Sequence, residues 1–125
     1  MRPEPSPSEL LVAVAEPTRL RILNCLAAAP LFVSELQDIL ALPQPTVSRH
    51  LTVLRRIHLV RDTPIAQFVL YRLHRGGRSQ EELLSAILDA LCQEEGMREE
   101  RGLALARSRT RVSRPASSAD GIPAS

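Results

Sequence analysis

Lysine is missing from this chain of 125 residues, and all sixteen basic side chains are arginine. That usage fits a GC-rich genome and says little about function. Tryptophan is missing as well, and Phe32, Phe68 and Tyr71 are the only aromatic residues. A core must therefore be packed with Leu, Ile, Val and Ala, which favours a mainly helical domain. No apolar run approaches a membrane span, and the proline-rich start lacks the charged-then-apolar order of a signal peptide. The expected setting is the bacterial cytoplasm, with no membrane partner.

Two cysteines, Cys25 and Cys92, lie far apart and form no Cys-x-x-Cys pair. His50, His58 and His74 do not fall at zinc-finger spacing, so a structural zinc site is not expected. No nucleophile–base pair, carboxylate pair or glycine-rich phosphate loop stands out, and "RGGR" at 75–78 is too short to make one. The chain is expected to be neither an enzyme nor the holder of a cofactor.

What is present is an uneven spread of charge. Residues 17–78 hold nine Arg against Glu35, Asp38 and Asp62, whereas residues 79–106 hold two Arg against seven acids. A basic middle between acidic flanks suits a polyanion-binding centre on a differently employed frame. Ordinary surface scatter is the alternative, because each excess is small.

Punctuation divides the chain into a flexible start at 1–8, one domain at 9–106 and a disordered Arg/Ser-rich tail at 107–125. Ser8 is expected to start a first helix through Ala15. Pro17 suits the first turn of a second helix, which runs to about Ala28 before Pro30. "SELQ" at 34–37 has the form of a capping box, with Ser34 as cap. After a few residues another helix begins, with Gln44 as possible cap and Pro45 in its first turn. "LVRD" and "QFVLYRL" then alternate with a period near two around "TPIA", which reads as a β-hairpin. Leu83, Leu84, Ile87, Leu88 and Leu91 recur at helical spacing in a final helix, whose apolar stripe a partner chain would cover.

The segment "PQPTVSRHLTVLRR" at 43–56 carries the functional signal. On a helical wheel Val47, Leu51 and Leu54 share one side and anchor the helix. His50 lies toward that side and is read as structural. Gln44, Thr46, Ser48, Arg49 and Thr52 are left for DNA at the leading end, with Arg55 and Arg56 behind. Arginine can bond guanine bidentately, and glutamine can serve adenine or a phosphate. The two trailing arginines suit phosphate contact. Helix, tight turn, helix and hairpin make a winged helix-turn-helix.

"EPTRLRILNCL", "FVSELQDIL", "PQPTVSRHLTVLRRIHLV" and "VLYRL" occur in the order and spacing of the ArsR/SmtB family, which this chain resembles over roughly residues 10–95. The resemblance implies a transcriptional repressor that is a homodimer joined by its first and last helices. It also implies two recognition helices, at 44–56, that read an inverted-repeat operator in double-stranded DNA, and an effector that weakens binding. The family's founding metal sensors carry thiolates where this chain has Phe32 and Ser34, and a second metal site needs histidine on the final helix, which has none. No metal is therefore expected. The wing tip "DTPIAQ" lacks the basic residues and glycine common in relatives, and the final helix is acidic, which together keep open a second reading: a winged-helix module for protein interaction without sequence-specific DNA binding.

One branch of the family senses reactive sulfur species through a cysteine on the second helix and one on the last. Cys25 and Cys92 occupy those helices, and on the wheel Cys25 lies away from the apolar arc, near Thr18 and Arg21. Two readings stand: a redox or persulfide switch at Cys25 and Cys92, or cysteines that merely pack.

Overall fold

The computed structural model describes residues 5–113. The chain order is α1 (Pro7–Val14), α2 (Pro17–Ala28), β1 (Leu31–Phe32), α3 (Val33–Leu40), α4 (Gln44–Arg56), β2 (Val60–Ile65), β3 (Phe68–Leu73), α5 (Arg78–Leu91) and α6 (Glu95–Ser113). Six helices surround a small antiparallel sheet in the order β1-β3-β2. The hairpin pairs Val60 with Leu73 and Ile65 with Phe68, while Leu31 and Phe32 add a third strand on β3. That short strand is absent from the sequence reading because two residues carry no periodicity.

Helix α2 is the central element and touches α1, α3, α4, α5, α6 and β3. Its Ile22, Leu23 and Leu26 join Leu10, Leu36, Leu51, Leu54, Leu59 and Leu84 in one core. Each such side chain contributes roughly 1.5–3 kcal/mol by leaving water, so aliphatic residues supply most of the packing.

Several local expectations need correction. Helix α1 begins at Pro7, inside the segment expected to be flexible, and its cap is Ser6: the Ser6 hydroxyl accepts from Glu9 N, and Glu9 accepts from Ser6 N. The box at α3 is shifted as well. Phe32 is the N-cap, and the Glu35 carboxylate, three residues on, accepts from Phe32 N at 2.9 Å. Ser34 is thus inside the helix. Pro43, not Gln44, precedes α4. Helix α3 closes on Ala41 at φ 57°, a left-handed residue that lets three residues turn the chain into α4.

The largest correction concerns the C-terminal side. Residues 107–113, expected to be disordered, complete α6, and the 19-residue helix packs back on α2 and α3. Polar bonds hold it there. Glu100 receives the Arg21 guanidinium, Arg101 Nη2 donates to Asn24 Oδ1 at 2.8 Å, and Asn24 Nδ2 donates to Met97 O at 2.8 Å. Toward its end Arg107 meets Asp38 at 3.0 Å and Arg111 meets Glu35 at 2.8 Å. Residues 114–125 of the expected tail lie outside the described residues.

The Glu35 side chain is only 5% exposed, so its charge depends on the arginines around it. Arg111→Ala should destabilise the chain by about 2 kcal/mol, on the low side for a buried pair because Arg107 stays nearby. Urea denaturation checks this, and Glu35→Gln combined with Arg111→Ala should recover part of the loss.

Candidate nucleic-acid interface

Helix α4 is held by its inner face. Val47, Leu51 and Leu54 are 0% exposed, and His50 is buried beside them. The His50 Nδ1 lies 3.4 Å from the Arg19 guanidinium and 3.9 Å from the Glu16 carboxylate, both on the leading turn of α2 or its cap. Burial is the main cause that lowers the His50 pKa, with Arg19 and Arg49 adding to it against Glu16. A neutral imidazole thus packs between α2 and α4, as its place on the wheel suggests.

The outer face differs residue by residue. Gln44, Arg49, Arg55 and Arg56 are exposed, whereas Thr46, Ser48 and Thr52 are half-buried. Gln44 Nε2 donates to Ser48 Oγ at 2.6 Å, which fixes the amide against the helix. The Thr52 hydroxyl donates to Ser48 O at 2.9 Å, so its hydrogen is already committed within α4. Arg55 pairs with Asp62 of β2 at 3.1 Å and thereby joins the helix to the wing. No sequence pattern singles out Asp62, since the contact crosses seven positions between two elements. Arg49 and Arg56 make no hydrogen bond or ion pair with the described residues.

The metal positions of the founding sensors do not fit a metal here. Phe32 stacks under the Arg111 guanidinium, 5.1 Å from the ring centroid, and Ser34 offers a hydroxyl in place of a thiolate. Among the described residues no group of three His, Cys, Asp or Glu could hold a metal ion. Soft metals need sulfur ligands.

Cys25 also departs from expectation. The wheel put it off the apolar arc, yet it is 0% exposed and part of the core. Helix α6 explains this: it covers that side of α2, and Cys25 Sγ lies 4.0 Å from Glu100 O. Burial, with the Glu100 charge adding, pushes the thiol pKa up to about 12. Cys92 caps α5 and is half-buried. Neither cysteine forms a disulfide.

The helical pair α3–α4, the three-residue turn and the hairpin that follows define a winged helix-turn-helix. Residues 16–62 match the family described as bacterial regulatory protein, arsR family. The HTH-type transcriptional repressor SmtB of Mycobacterium tuberculosis is 39% identical over 83 residues, covering 66% of this chain and 58% of that protein. HlyU of Vibrio cholerae N16961 shares 35% identity at a TM-score of 0.61, over 68% of this chain and 90% of that structure. The transcriptional repressor BigR of Xylella fastidiosa shares 28% identity at a TM-score of 0.61, over 70% of this chain and 85% of that structure. This chain belongs to the ArsR family of bacterial regulatory proteins. It spans little more than half the length of the SmtB relative.

Thiol chemistry offers a direct check of the α6 cover. Iodoacetamide at pH 8 should label Cys92 at least ten times faster than Cys25 in the native chain, and both equally in urea; equal native rates would contradict the burial. The raised Cys25 pKa also sets a sign. Between about 9, the ordinary thiol value, and about 12 the unfolded thiol ionises while the folded one keeps its proton. Stability should fall as pH climbs through that window, and Cys25→Ala should remove that part of the slope.

Proposed function

We propose that the chain is a homodimeric transcriptional repressor that binds an inverted-repeat operator in double-stranded DNA through α4 and is released by an effector. One observation carries the reading. A helix whose inner residues are wholly buried presents an unpaired Arg49 and an amide fixed by Ser48 on its solvent side, in the first turns after a tight turn. Burying one side of α4 fixes the backbone from which Gln44 and Arg49 project, so the helix itself need not be ordered on meeting base edges. In this reading Arg49 reads a base, and Thr46 and Ser48 allow close approach. Gln44 contacts adenine or phosphate, and Arg55 and Arg56 contact phosphate. Thr52, with its hydroxyl turned into the helix, has the smallest part.

The dimer is supported by α1. Its inner Leu10, Ala13 and Val14 are buried, while Leu11 and Val12 stand 50% and 70% exposed. Because the last helix, α6, is docked on its own α2 and α3, the element expected beside α1 at the two-fold axis is α5. No helix among the described residues is long and apolar enough to cross a membrane.

For the effector, release by a thiol-reactive signal at Cys25 and Cys92 is the less favoured route. A thiol under α6 with its pKa raised is a poor nucleophile. That route needs α6 to lift first. The competing module for protein interaction is supported by the wing tip, where Pro64, Ile65 and Ala66 are exposed and uncharged, and by the exposed acids Glu81, Glu82 and Asp89 of α5.

A mobility shift on the intergenic DNA upstream of the gene separates the two readings. Retardation at low salt is expected, with affinity lost by at least thirtyfold in Arg49→Ala while size-exclusion still reports a dimer. Absence of any shift at low salt would hand the case to the protein-interaction module.

A further inference from the structure

Between the start of α3, the start of α4 and the hairpin tip lies an open cleft of about 230 Å³. Its walls hold four uncharged polar side chains, Ser34, Gln37, Gln44 and Gln67, over the rings of Phe32 and Phe68. None of the residues that line it is charged. The nearby carboxylate of Glu35 is buried and neutralised by Arg111 and by Arg107. The Ser34 hydroxyl is sealed from solvent and has no hydrogen-bond partner. An unmatched buried hydroxyl costs on the order of 1–3 kcal/mol, so such a group calls for an explanation.

We propose that this cleft is a second DNA subsite, in which Ser34, Gln37, Gln44 and Gln67 hold one backbone phosphate with neutral donors. It rests on the DNA-binding reading of α4 and extends it. Three observations favour a phosphate. Gln44 belongs both to the cleft and to the exposed end of α4, so a duplex lying along that end passes the cleft mouth. Hydroxyl and amide donors are among the side-chain groups that meet phosphate oxygens, and no carboxylate lines the cleft to repel them. The Ser34 hydroxyl belongs to the cleft wall and has no partner, so an acceptor that reaches it satisfies a donor otherwise left unmatched. With one amide hydrogen on Ser48, Gln44 retains its second for the phosphate. The assignment places Gln44 on the backbone and leaves base reading to Arg49.

A neutral subsite has a signature that a basic one lacks. Contacts from arginine release counterions and steepen the fall of affinity with salt, by about 0.9 in log–log slope for each phosphate neutralised. Contacts from hydroxyl and amide groups add affinity without adding slope. The test is fluorescence anisotropy on a duplex selected from a random library by the wild-type chain, titrated from 50 to 300 mM NaCl (roughly the range in which such slopes are read). Ser34→Ala with Gln37→Ala should weaken binding about tenfold at every salt concentration and leave the slope unchanged. Arg56→Ala should weaken binding and lower the slope by about 0.9 per chain. A second measurement needs no variant protein: replacing phosphates one at a time by methylphosphonate should reveal one position per half-site that costs the wild type affinity without a change in slope. Wild-type affinity in the double variant at an unchanged melting temperature would overturn the subsite, as would a duplex indifferent to every such replacement outside the arginine contacts. Failure of the wild-type chain to select any duplex would sink the DNA reading itself.

Discussion

The fold depends on burying one side of a 13-residue helix. With Val47, Leu51 and Leu54 fully withdrawn from water, α4 cannot rotate about its axis without exposing them, at roughly 1.5–3 kcal/mol for each side chain. That constraint sets where Arg49 and Gln44 point. It also requires α2 behind α4, because Ile22, Leu23 and Leu26 supply part of the surface that receives those residues. The Arg19, His50 and Glu16 contacts add a polar lock at the same junction, and Arg55 with Asp62 ties the trailing end to the wing.

A second constraint runs through Glu35. Its carboxylate accepts from Phe32 N, where strand β1 passes into α3, and it also receives Arg111 from α6. One buried charge thus joins the sheet, the helix-turn-helix and the C-terminal helix. Such a group is costly alone and stable only in company. The ring of Phe32 beneath Arg111 completes the arrangement by giving the guanidinium an aromatic face.

The parts of this structure that were legible in the sequence are those with a period. Helix α4 follows from its apolar stripe, with only its cap one residue earlier than expected, and the hairpin and α5 follow from alternation and from a leucine stripe. Helix α6 has no stripe: Ala104 is buried, while Leu103 and Leu105 face outward. Its attachment through Arg21, Asn24, Glu35 and Asp38 is made of pairs separated widely in sequence, which no local pattern encodes. The face of α2 that holds Cys25 looks open on the wheel because the helix that covers it, α6, is announced by no local pattern. The capping error is smaller in scale and similar in kind. The box expected from Ser34 to Gln37 and the one observed from Phe32 to Glu35 lie two residues apart, and only the backbone decides between them.

The way α6 is fastened has a consequence for how this molecule comes apart. A helix stripped from an oily groove leaves a sticky scar, which invites aggregation. Beneath α6 lie a guanidinium, an amide and two carboxylates, all of which water can rehydrate. Fraying from this end therefore uncovers a mixed surface, in which these polar groups stand beside the apolar Cys25 and the site that receives Ala104.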